Sequence, residues 1–88
     1  MFRLWGKIIT DNKLQKDMVV EMPDPDMGRT QKVLSALGRI CHSFDLASPL
    51  WLDANVRGFQ RLSRTRFTGD NFIESIPFDF LEIQVIEE

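Results

Sequence analysis

The chain has 88 residues, 43% hydrophobic and 27% charged, with a net charge of −2. Surface-to-mass scaling has about 64% of the extended chain's surface buried on folding, enough for one domain over residues 1–88 and too little for a cleft between two lobes. That composition is that of an ordinary globular chain rather than a disordered one, and the single cysteine, Cys41, excludes an internal disulfide and suits a reducing compartment.

No run of 18 apolar residues occurs, and MFRLWGKIIT lacks a signal-peptide layout, so a cytoplasmic protein with no membrane partner is expected. The small net charge hides an asymmetry. All eleven Lys and Arg lie within residues 1–66 against seven acids, giving +4, while residues 67–88 carry six acids and no base, giving −6. A basic body with an acidic last quarter predicts ion pairing across the fold, with an external polyanion as the alternative partner.

Residues 2–9 and 14–22 are rich in apolar and β-branched side chains around the turn-forming Asp11-Asn12-Lys13, which predicts a β-hairpin. A two-residue loop would set Lys7 against Lys16. A three-residue loop sets Lys7 against Asp17 and Arg3 against Glu21, cross-strand pairs worth about 0.2–1 kcal/mol each. That register also gathers Phe2, Leu4, Ile8, Met18, Val20 and Met22, with Gly6, on the core face, and the three-residue loop is therefore expected.

Pro23-Asp24-Pro25-Asp26 removes two backbone donors and reads as a stiff connector. Beyond it, at about 100° per residue, Val33, Leu34, Leu37, Ile40, Cys41 and Phe44 fall within an arc of about 120°, which predicts a long amphipathic helix. Thr30 and Asp26 are the candidate caps, Pro49 stops the helix soon after Asp45, and Gly38 marks a point of close packing. Pro49–Leu52 fits a brief strand or a packed loop equally well. A second, weaker helical pattern runs from Ala54 to Arg64, with Val56, Phe59 and Leu62 on one side. Thr68–Asn71 is a turn, and residues 78–86 form a strand with Leu81, Ile83 and Val85 on the core face.

The stretches FRLWGKIITDN, WLDAN, TRFTGDNFIE and FDFLEIQVIEE together resemble a group of short proteins of unknown function encoded by Clostridia and related Gram-positive gut bacteria. The resemblance implies a bacterial cytoplasmic setting and brings no activity, cofactor or catalytic residue with it.

Searching the residues for chemistry gives little. There is no phosphate-binding glycine loop, dinucleotide fingerprint or nucleophile elbow. Cys41 and His42 diverge by helical period, Cys41 into the apolar arc and His42 outward, and two such residues are too few for a zinc site. Asp24 and Asp26, on a rigid connector, are the one pair placed to share a Mg²⁺ ion, though Asp-Pro repeats are also ordinary loop punctuation. No catalytic residue, cofactor or metal site is expected.

Two binding surfaces remain. Arg57, Arg61 and Arg64 recur at helical spacing and Arg66 follows, a basic ridge suited to phosphate or nucleic acid unless the acidic tail occupies it. In the hairpin register Trp5 and Val19 face away from the core, as do Phe80 and Ile86 in the last strand. Brought into one sheet, these four make an apolar patch ringed by Arg3, Lys7, Asp17, Glu21, Glu82 and Gln84, the anatomy of a protein interface, unless the Trp51 segment or the second helix folds over it.

The expected architecture is thus α+β, an antiparallel sheet of the N-terminal hairpin and the C-terminal strand packed on one long amphipathic helix, with a second short helix. The expected function is that of a non-enzymatic interaction or accessory module, self-associating through the Trp5 face as a homodimer. The alternative is a phosphate or nucleic-acid binder using the arginines.

Overall fold

A computed structural model describes residues 1–88. The fold is α+β: strands β1 (Phe2–Thr10) and β2 (Lys13–Met22), helices α1 (Arg29–Ser43) and α2 (Asp53–Leu62), strand β3 (Arg64–Phe67), a 3₁₀ turn over Gly69–Asn71, and strand β4 (Phe80–Glu87). The four strands form one antiparallel sheet in the order β2-β1-β4-β3. No helix is long and apolar enough to cross a membrane.

The hairpin has the expected pairing, Lys7 with Asp17 and Arg3 with Glu21, but reaches it differently. Its loop has two residues rather than three. Asp11 and Asn12 both adopt positive φ, 53° and 63°, as a type I′ turn requires, and Thr10 pairs with Lys13. A register shift between Ile8 and Ile9 then moves the pairing by one residue, so a tight turn plus a bulge gives the alignment that a longer loop would give. Phe2, Leu4, Ile8, Val20 and Met22 are buried and Met18 is partly so.

α1 presses Val33, Ala36, Leu37, Ile40 and Cys41 into the core. Its first turn departs from expectation: Gly28 occupies the N-cap, with no side-chain cap, while the Asp24 carboxylate accepts a hydrogen bond from the Asp26 amide at 2.9 Å. Leu34, expected in the buried arc, is 52% exposed. A methyl group built on Gly38 would meet nothing within 4 Å outside its own helix. Close packing occurs at Gly6 instead, directly under Ile40. Burial pushes the Cys41 thiol up to about 11, as for a thiol held in apolar surroundings, and His42 is exposed.

The second helix stops at Leu62, before Arg64. Ser63 takes a left-handed conformation (φ 57°), which ends α2 and turns the chain into β3, a fourth strand that the helical spacing of the arginines concealed. Pro49–Leu52 is a packed loop whose Trp51 ring meets Phe59 and Phe67 edge-on, at 5.6 and 5.1 Å between centroids. Two buried asparagines hold this end together. Asn55 Nδ2 donates to Thr65 Oγ1 and to the Arg66 carbonyl, while Asn71 Nδ2 donates to Asn55 Oδ1 and to the Leu50 carbonyl. Asn55 thereby satisfies a carbonyl on the edge strand β3.

The covering layer over the sheet is shared. α1 lies on β1 and β2, α2 packs beside β3, and Trp51, Phe72 and Phe78 complete the same core. The charge asymmetry resolves within the chain, because four of the five ion pairs join an acid of residues 67–88 to a base of residues 1–66.

Candidate protein-interaction face

Strand side chains alternate between faces, so the strands that bury Leu4, Val20, Ile83 and Phe67 on one side present a second set on the other. Every helix and loop aromatic of the core lies on the first side. The hydrogen bonds, ion pairs and cation–π contacts on the second side join strand residues to one another.

Register arranges that second face in rows across the sheet. One row runs Leu14, Ile9, Phe80; the next Asp17, Lys7, Glu82, Arg66; the next Val19, Trp5, Gln84, Arg64; the last Glu21, Arg3, Glu87. Trp5, Val19 and Phe80 therefore share a face. Ile86, 44% exposed, sits at the irregularity between the Leu4–Val85 and Arg3–Glu87 pairs. The expected apolar centre with a polar rim is replaced by bands, in which a charged row separates Ile9 and Phe80 from Trp5 and Val19.

The charged row is tightly organised. Lys7 Nζ is 2.8 Å from Glu82 Oε2 and lies 4.0 Å above the Trp5 ring, whose Nε1 donates to Asp17 Oδ2 at 2.8 Å. Arg66 Nε donates to Glu82 Oε1 at 2.9 Å while its guanidinium lies 4.5 Å from the Phe80 ring centre. Packed this way, Lys7 and Glu82 are only 15% and 13% exposed. Burial pushes the Glu82 carboxyl up, but hydrogen bonds from Lys7 and Arg66, with their charges, outweigh it and hold the group below its ordinary value.

The four arginines do not form a single ridge. Arg57 and Arg61 lie on the exposed surface of α2, in no ion pair, whereas Arg64 and Arg66 belong to β3 on the sheet face. Spacing of four and three residues favoured one helix over 54–64. The contrary signal was the alternation Arg64-Thr65-Arg66-Phe67, which buries Thr65 and Phe67. Ile9 and Leu14 also join the face unannounced, since the bulge that places Leu14 opposite Ile9 leaves no mark in the sequence pattern.

A second surface feature is a groove of about 220 Å³ between α1 and α2, lined chiefly by Thr30, Val33, Leu34, Trp51, Val56 and Phe59. The charged group at its end is already engaged: Arg29 Nε donates to Glu88 Oε1 at 2.7 Å and its NH2 group to Ser63 Oγ at 3.1 Å. No family model, curated protein or solved structure matches the chain.

Proposed function

We propose that the protein is a non-enzymatic interaction module that binds a second copy of itself through the sheet face bearing Trp5. One observation carries this reading: both helices and the loop aromatics pack on one side of a four-stranded sheet, leaving the other side uncovered, with Val19 44% exposed beside Trp5 and Leu14 52% exposed beyond the charged row. Face-to-face stacking on a second sheet is one way such a face buries its exposed apolar side chains. The setting that goes with this reading is a bacterial cytoplasm, which rests on the resemblance of the four stretches named above.

The test is the mass in solution. Light scattering at about 100 µM should give a mass approaching twice 10.2 kDa, and Trp5→Ala should return it toward the monomer. A monomeric mass for both proteins overturns the reading.

Phosphate or nucleic-acid binding is the second reading. Arg57 and Arg61, free of ion pairs, support it, but Arg66 is held by Glu82 and the set is divided between two elements. If it operates, the anisotropy of a labelled oligonucleotide rises on addition of protein at low salt and falls steeply as salt is added.

A further inference from the structure

The open face carries one sign of charge per strand. β2 presents only acids (Asp17, Glu21), β1 only bases (Arg3, Lys7), β4 only acids (Glu82, Glu87) and β3 only bases (Arg64, Arg66). Within the chain this order explains the lateral ion pairs. It has a second property, because a minus, plus, minus, plus order across four strands inverts its signs when reflected about its own midline, the seam between β1 and β4.

Resting on the self-association reading, we infer that two copies dock face to face about a two-fold axis running along the strands above that seam. Each Asp17 then meets the partner's Arg66, and each Lys7 the partner's Glu82. The same rotation sets Arg3 against the partner's Glu87, Ile9 against the partner's Phe80, Trp5 against the partner's Gln84, and Val19 against the aliphatic stem of the partner's Arg64. Other axes fail on charge. A two-fold across the strands lays each strand on its own copy, base on base and acid on acid, and an axis above β1 lays β2 on the partner's β4, acid on acid. Like charges brought together across an interface oppose association, so the signs select the seam axis. Both ions of each Lys7–Glu82 pair are already ordered and largely desolvated in the single copy, which lowers the further cost of burying them.

Three strands of eight or more residues and the short β3, Arg64–Phe67, spaced about 4.8 Å apart, give a footprint of at most about 19 Å by 25 Å per copy, below the standard protein–protein interface, so the dimer is weak and exchanges readily.

The arrangement makes a demand that no monomer can meet. Asp17 and Arg66 lie on opposite edges of one sheet, about 14 Å apart, and do not touch in a single copy. Asp17→Arg places two arginines together at each end of its own dimer, and Arg66→Asp places two aspartates there. Each variant alone should therefore dimerise at least about tenfold more weakly than the parent. Mixed in equal amounts, they form a heterodimer in which Arg meets Asp at both ends, and sedimentation equilibrium should show near-parental affinity for the mixture only. If the parent dimerises and Trp5→Ala weakens it, yet the mixture associates no better than the single variants, the seam axis is wrong and the face reading stands. A parent that stays monomeric at about 100 µM overturns both. Thermal melts confirm that the variants fold. Asp17→Lys and Arg66→Glu, applied in the same mixing experiment, replace any that does not.

Discussion

Ile40 stands where a side chain on Gly6 would be: a methyl group built on Gly6 lies 2.8 Å from both Cδ1 and Cγ2 of Ile40. The missing side chain in the middle of β1 is thus what lets α1 settle onto the sheet. Both residues are buried, and Ile40 is β-branched, so it has few alternative rotamers and no empty space to enter.

Gly6→Ala should accordingly destabilise the fold, although alanine suits a strand better than glycine. Overpacking costs about 1–3 kcal/mol and outweighs the strand preference, which spans about 1 kcal/mol. Urea unfolding measures the loss. Ile40→Val removes Cδ1 and should cost less in the Gly6→Ala background than in the parent; equal cost in both backgrounds would show that the two sites are independent.

Asn55→Ala should be among the most disruptive single changes outside the apolar core. It removes two donated hydrogen bonds, to Thr65 and the Arg66 carbonyl, and the oxygen that receives the Leu52 and Asn71 donors. Leaving buried partners unsatisfied costs about 3 kcal/mol in total. Hydrogen exchange should show β3 and residues 68–71 losing protection ahead of β1. Uniform loss across the sheet would contradict a local role for the asparagine pair.

Glu82 predicts an acid-side pH dependence. Its folded pKa lies below the unfolded value, so on acidification the unfolded chain takes up the proton first. The stabilisation is complete above the unfolded pKa, about 4.3 for a glutamate, and is lost as pH falls through the lower folded value. Unfolding measured on the dilute monomer should find Glu82→Gln less stable than the parent at pH 7, with the gap closing below about pH 4. A gap independent of pH would mean that Lys7 and Arg66 do not act on this carboxylate.

The hairpin pairing was legible because charge and hydrophobicity agree on it: only one alignment sets Lys7 against Asp17 while keeping Leu4 and Val20 on one side. The turn was not, since a loop of three and a loop of two plus a bulge give the same alignment. β3 was hidden by a coincidence of period, in which Arg57, Arg61 and Arg64 continue a helix that the left-handed Ser63 in fact ends. Of the candidate site, Trp5, Val19 and Phe80 follow from strand alternation alone. The contribution of Arg64 and Arg66 depends on strand order, which side-chain patterning leaves undetermined. Asn55 and Asn71 gave no signal, because a buried asparagine is recognised by its partners and these are up to 21 residues away along the chain.

The face used in association is read most directly from backbone amide NMR spectra recorded through a dilution series, since a weak dimer in fast exchange shifts the signals of the residues it buries. The amides of Trp5, Lys7, Val19, Glu82 and Gln84 should move with concentration, while those of Thr30, Leu34 and Gly38 on the outer side of α1 stay fixed. Shifts confined to the α1–α2 groove, or spectra unchanged by dilution, would contradict the assignment of the open sheet face as the contact surface.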